Sequence, residues 1–237
     1  MKFISLFAGI GGMDLGLERA GMECVAQVEI DDFCQKVLTK HWPNVPKFKD
    51  VKNVGKENLP TADLICGGFP CQPHSQAGKR KGKADDRNLW PEYLRIVTEL
   101  KPRFVVGENV LGLVTTMLDE ILFDLESLGY TCQTFIIPAS AFNAPHRRDR
   151  VFVIANSKSV RLEKENKRLK KELVLFEKTS MGNNRHITAE WIDRCPDIGT
   201  VRVNDGISNW MDRIKSLGNA VVPQVAEFVG RCIMEAL

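Results

Sequence analysis

Across residues 1–155, short runs of unbroken hydrophobicity alternate with segments of helical character, and this alternation restricts the fold most. Phe3–Phe7 is the first such run. A strand with one wet face alternates apolar and polar residues, whereas one that is apolar almost throughout is buried on both faces. A glycine turn follows, then a helix ending near Ala20 with Gly21 just beyond its cap. Val25–Glu29 reads as a second strand. Asp31 is placed to cap a helix running to about His41, which Pro43 stops. Leu64–Cys66, Phe104–Gly107, Thr134–Ile137 and Val151–Ile154 read as further strands; Leu89–Leu100 and Met117–Leu128 read as helices, Gly129 closing the second. Buried strands separated by helices imply a mostly parallel sheet with helices on both faces. The expected fold is α/β, doubly wound.

Past residue 155 the composition changes. Residues 158–178, KSVRLEKENKRLKKELVLFEK, are densely charged and free of Gly and Pro. From Lys158 to Arg185 nine Lys or Arg face four Glu, a local excess of five positive charges against three for the whole chain. Leu162, Leu169 and Phe176 with Asn166 and Leu173 fit d and a heptad positions, and an a-position Asn resembles zipper dimers. Two heptads are short, and a solvated helix along the domain or a DNA backbone is the other reading; monomer is expected over dimer. Residues 180–210 read as irregular, and Val221–Ala236 as a closing amphipathic helix. The seven cysteines (24, 34, 66, 71, 132, 195 and 232) include no CxxC pair. That speaks against a disulfide framework or a structural metal site, and for a reducing, cytoplasmic setting. The opening MKFISLFAGIGGM superficially resembles a leader, but three glycines and Asp14 break it and no cleavage site follows. No apolar run approaches the ~20 residues a membrane span needs.

Two turns carry the chemistry. In SLFAGIGGMDLGLERAG, glycines 9, 11 and 12 separate a strand from a helix. They allow a sharp turn and close approach of a ligand, with the helix dipole behind. Glu29 ends the next strand, where doubly wound folds place a carboxylate against ribose hydroxyls. Such turns serve NAD, FAD or S-adenosylmethionine, and some are only tight turns. The pattern FxGxGG, with Phe7 placed to cover a ligand, favours adenosylmethionine. In GGFPCQPHS (67–75), Pro70 and Pro73 stiffen the backbone around Cys71, and two glycines clear space before it. A thiol held in that way is a positioned side chain.

With GENV (107–110), HRRDRVFVIA (146–155) and LGNAVVPQVAEFV (217–229) in this order, the chain resembles the DNA cytosine-5 methyltransferases. The resemblance covers about residues 1–155 and 213–235. It implies the Rossmann-like fold of S-adenosylmethionine-dependent methyltransferases, a catalytic and cofactor-binding domain over 1–155 and 216–237, and a reduced target-recognition region over 156–215. It makes Cys71 the nucleophile and Glu108 the proton donor, with Arg148 and Arg150 at the base edge. Cofactor contacts would come from Phe7, Gly9, Gly11, Gly12, Glu29, Ile30, Asp50, Asn219 and Ala220, although Asp50 also suits a simple turn. Substrate contacts would come from Pro70, Gln72, Ser75 and Asn109, the last orienting the active-site loop. His74 and His146 read as loop and surface residues.

The chemistry explains these residue types independently. Carbon 5 of cytosine is a poor nucleophile until a thiolate adds to carbon 6; that needs a soft nucleophile and an acid where charge builds at N3. Outside the motif order, Glu108 could equally cap a helix, and the two arginines could be a solvated turn. A duplex hides carbon 6, so the base must flip out. The segment 75–88, with two glycines and five Lys or Arg against two Asp, suits closure over double-stranded DNA. An RNA cytosine-5 methyltransferase and a non-catalytic DNA-binding homologue are the competing functions; an oxidoreductase built on the glycine turn would leave PCQ and ENV unexplained. A restriction companion, phage protection and orphan regulation all remain open as roles.

Overall fold

The apolar runs become strands in the computed structural model, which describes residues 1–70, 88–142, 148–157 and 220–235. The strands are β1 (Lys2–Leu6), β2 (Glu23–Val28), β3 (Lys47–Phe48), β4 (Leu64–Gly67), β5 (Phe104–Val110), β6 (Thr131–Pro138) and β7 (Asp149–Asn156). The described helices are α1 (Gly12–Arg19), α2 (Asp32–His41), α3 (Trp90–Leu100), α4 (Leu113–Thr116), α5 (Leu118–Ser127) and α6 (Pro223–Glu235). All seven described strands join one sheet of order β3-β2-β1-β4-β5-β7-β6. Every pairing is parallel except those of β7, which runs against both β5 and β6. The mostly parallel α/β sheet expected from the sequence is present, with one strand reversed.

Alternation along the strands divides the core into two layers. Ile4, Leu6, Ile65, Val105, Val151 and Val153 face one side, where α3 and α5 cover them with Tyr93, Ile96, Val97, Ile121 and Leu125. Phe3, Leu64, Cys66, Phe104, Val106 and Phe152 face the other, against Met13 and Leu17 of α1 and Val225 and Val229 of α6. Both faces are covered, so neither parity of residue needs to be polar, and the runs read as unbroken. Fully burying a side chain of this size stabilises by roughly 1.5–3 kcal/mol; Phe3, Ile4, Leu6, Phe104 and Phe152 are at most 1% exposed.

Helices α1 and α6 approach closely because small residues line their contact. A Cβ on Gly16 would lie 2.4 Å from the Pro223 carbonyl oxygen and 2.5 Å from Ala226 Cβ, and one on Gly230 would lie 2.7 Å from Ala20 Cβ. Gly12, Gly16 and Ala20 recur every four residues and so share one helical face, as do Ala226 and Gly230. At the start of α2, Asp31 accepts from the backbone N–H groups of Phe33 (2.9 Å) and Cys34 (3.0 Å), the cap its sequence position implies. Gly21 and Gly129 take positive φ after their helices.

Four elements differ from the sequence reading, for physical reasons. Strand β5 continues to Val110, because β7 carries the ladder past the polar residues: Glu108 pairs with Phe152 and Val110 with Arg150. Strand β3 is two residues long, and α4 is one turn; neither is long enough to show a period. Helix α6 starts at Pro223, whose fixed φ suits a first helical position. No described helix is long and apolar enough to cross a membrane. The basic segment 158–178 and the segment 180–210 lie outside the described residues.

Candidate active site

Helix α1 follows β1 onto one face of the sheet and α3 follows β4 onto the other. Beyond the carboxyl ends of these adjacent strands the layers diverge and leave a crevice. A cavity of about 810 Å³ fills it.

On the β1–β2 side the glycine turn forms its floor. Phe7 (φ 54°), Gly9 (φ 57°) and Gly11 (φ 84°) all take left-handed backbone. For Phe7 that conformation is strained; its ring stacks on Tyr93 with centroids 6.4 Å apart. The Glu29 carboxylate holds the turn shut: Oε2 accepts from Gly9 N–H at 2.7 Å and Oε1 from Asp31 N–H at 2.8 Å. Each oxygen keeps a further lone pair. A Cβ at Gly9 would meet nothing within 4 Å, so this bend faces open space. Phe7, Gly9, Gly12, Glu29, Ile30, Asp50 and Ala220 all line the cavity, with Ile30 65% exposed at its mouth. Asp50 also accepts from Lys52 N–H at 2.9 Å, capping a 3-10 turn over Val51–Asn53. Gly11 serves another purpose: a Cβ there would strike the Trp42 ring at 2.4 Å, and it does not line the cavity.

Behind the turn lies a residue the sequence reading passed over. Asp14, in the first turn of α1, is fully buried. It accepts from Ser5 Oγ at 2.9 Å and Gln27 Nε2 at 2.7 Å, with Cys24 Sγ at 3.7 Å. These bonds tie α1 to β1 and β2, and burial pushes the carboxyl above its ordinary range despite them. A lone acidic residue on the apolar face of α1 was the signal available.

On the β4–β5 side the chemical groups converge. Glu108 is 6% exposed. Burial pushes its pKa up to about 7, although the Arg150 and Arg148 guanidinium groups pull the other way. Arg150 Nε lies 2.9 Å from Oε1, yet its N–H is not aimed at that oxygen, which makes no hydrogen bond among the described residues. Asn109 Nδ2 donates to Phe69 O at 2.9 Å and so pins the backbone two residues before Cys71. Phe69 itself rests on Trp90 and Tyr93, with centroids 5.1 and 5.7 Å away. Tyr93 is held by its hydroxyl, which donates towards Ile65 O and Val106 O. Pro70, Glu108, Asn109 and Arg150 line the same cavity as the glycine turn. Arg148, at φ 37°, donates from Nη2 to Ala220 O at 2.8 Å, fixing the segment that leads into α6. Cys71, Gln72, Ser75 and Asn219, with His74, His146 and most of the 75–88 segment, lie outside the described residues. Among the described residues no His, Cys, Asp and Glu group could hold a metal ion.

Residues 1–208 match the family described as C-5 cytosine-specific DNA methylase. Among individual proteins, the chain is 38% identical over 159 residues to the Type II methyltransferase M.DsaV of Dactylococcopsis salina, covering 65% of this chain and 45% of that one. It is 35% identical over 159 residues to M.HhaI of Haemophilus parahaemolyticus, with 65% and 48% covered. A solved structure described as a DNA modification methyltransferase encoded within a prophage (E. coli) superposes with TM-score 0.58 at 31% identity, covering 67% of this chain and 47% of that one. The S. pombe Dnmt2 methyltransferase shares the fold, with TM-score 0.58 at 22% identity and 68% and 52% covered. The chain thus spans about half the length of the relatives it matches.

Proposed function

The chain belongs to the C-5 cytosine-specific DNA methylase family, and from that premise we propose that it methylates carbon 5 of a flipped-out cytosine in double-stranded DNA. The observation that carries this is Glu108, a buried carboxyl poised at about 7 on the wall of the cavity that the glycine turn floors. At neutral pH a carboxyl with ordinary pKa is almost wholly ionised and donates nothing; burial raises Glu108 towards the range where a proton is kept.

S-adenosylmethionine fits the other wall. Gly9 bends around open space, Glu29 retains acceptor capacity for ribose hydroxyls, and exposed Ile30 offers an apolar face to a base. Phe7, Gly12 and Ala220 bound the same space, and Asp50 would accept from an adenine amine. Once bound, this cofactor supplies an electrophilic methyl group. The chain's own residues would do the rest. The Cys71 thiolate adds to carbon 6 and makes carbon 5 nucleophilic. Glu108 donates to N3 as charge builds there, within a site of low polarity where such donation is strongest. Asn109 holds the Cys71 segment through Phe69, and Arg150 contacts the base edge. Arg148 acts through Ala220, joining the base side to the cofactor side. Recognition of the target would fall to the 156–215 region, and a reducing cytoplasm would keep the thiol free.

A duplex carrying 5-fluorocytosine tests this directly. Addition of Cys71 followed by methyl transfer leaves no proton at carbon 5 to eliminate, so a stable protein–DNA adduct is expected with cofactor present. Cys71→Ser should abolish it, and tRNA should give none. Methyl transfer that survives Cys71→Ser, or label on RNA alone, would overturn the reading.

A further inference from the structure

Gly68 leaves room for one particular side chain. Its φ lies outside the left-handed region, so its backbone would accept an ordinary residue. A Cβ there would stand 2.7 Å from Glu108 Oε2, 3.7 Å from Glu108 O and 3.9 Å from Glu108 Cδ. The three nearest atoms all belong to Glu108. Gly67, its chain neighbour, differs: a Cβ there would strike Leu6 O of β1 at 2.2 Å, so Gly67 serves the sheet. The Glu108 carboxyl therefore sits between two constraints, with Arg150 Nε 2.9 Å from Oε1 and the bare Gly68 backbone against Oε2.

We infer that Gly68 is a positioning residue, whose missing side chain is the slot that seats the Glu108 carboxyl for proton donation to the base. The inference rests on Glu108 being the proton donor proposed above. Ordinary carbon–oxygen contact is reached near 3.5 Å, so a methyl at 68 must displace Oε2 by roughly 1 Å. The displaced atom ends a side chain and is not backbone, so the fold yields there at little cost. Arg150 blocks retreat on the Oε1 side, leaving the cavity as the way out. The charged groups facing Glu108 are Arg150 and Arg148; the end of β4 offers glycine backbone and Phe69, and Cys71 beyond it lies outside the described residues.

The test is to titrate Glu108 by carboxyl carbon-13 NMR in the cofactor-free protein, with Glu108→Gln identifying the signal. In Gly68→Ala the carboxyl is pushed into the water of the cavity, and its midpoint should fall by about one pH unit or more. An unchanged midpoint overturns the inference. Methylation assays give a second arm: Gly68→Ala should lower kcat roughly ten- to a hundredfold with the cofactor KM unchanged. In a Glu108→Asp background, where the shorter side chain clears the methyl, the same substitution should cost no more than about twofold. Equal losses in both backgrounds would mean a general structural role and overturn it. Wild-type protein that methylates no DNA would sink the functional reading instead, and the titration alone would then decide for or against Gly68.

Discussion

Glu108 and Asp14 are both buried carboxyls, and their surroundings give them opposite work. Glu108 opens onto a cavity and has no aligned hydrogen bond on Oε1 among the described residues; Asp14 is enclosed and accepts from Ser5 and Gln27. A carboxyl raised from 4.5 to about 7 favours the fold while neutral. Its contribution is complete below about 4.5 and is lost as pH rises through 7, a difference of about 3 kcal/mol. Glu108→Gln does not titrate, so its stability should overtake wild type between pH 5 and 7.5, as read by urea unfolding at each pH. The same substitution should remove the alkaline limb that Glu108 deprotonation imposes on single-turnover methylation. Asp14→Leu strands two buried donors and should cost about 2–5 kcal/mol, while Asp14→Asn, which can still accept, should cost clearly less. Glu108 and the glycine turn were legible as cavity-lining groups because each breaks a local expectation. Asp14 was not, because one polar residue in a helix reads as surface until its neighbours are known.

At the scale of elements, strands were readable wherever burial on both faces made them apolar throughout, and unreadable where chemistry interrupts them. Glu108 and Asn109 occupy the last half of β5, so the apolar run ends at Gly107, one residue before Glu108. The α1–α6 contact was also hidden, since its signal is a spacing of small residues on two helices some 200 positions apart in the chain. That contact is tight against backbone, and Gly16→Val should force the helices apart. The overpacking should destabilise by about 1–3 kcal/mol, measured as a shift in urea midpoint. Cofactor affinity should fall with it, because Ala220 and Val221 line the cavity just before α6. Unchanged affinity in a destabilised variant would mean that α6 supports the fold without shaping the cavity.

On the proposed reading the molecule divides its task along the sheet: β1 and β2 would carry the cofactor groups, β4, β5 and β7 the groups for the base. Glu29→Ala should therefore raise the cofactor Kd about tenfold or more and spare the Glu108 titration. Glu108→Ala should do the reverse, abolishing turnover with cofactor Kd within about twofold. Equilibrium dialysis and single-turnover assays separate the two. Target sequence is the part the sequence did not disclose, because no motif in it names a target; bisulfite sequencing of DNA from cells expressing the chain should reveal methylated cytosines in one short context. Finally, β7 is the last of the described strands and yet lies between β5 and β6. During synthesis on the ribosome β6 emerges before β7, its neighbour in the described sheet, and Glu108 emerges before the strand that encloses it. A nascent chain halted near residue 145 should hold that carboxyl hydrated and acidic, so the raised affinity of Glu108 for its proton would arise only when β7 inserts.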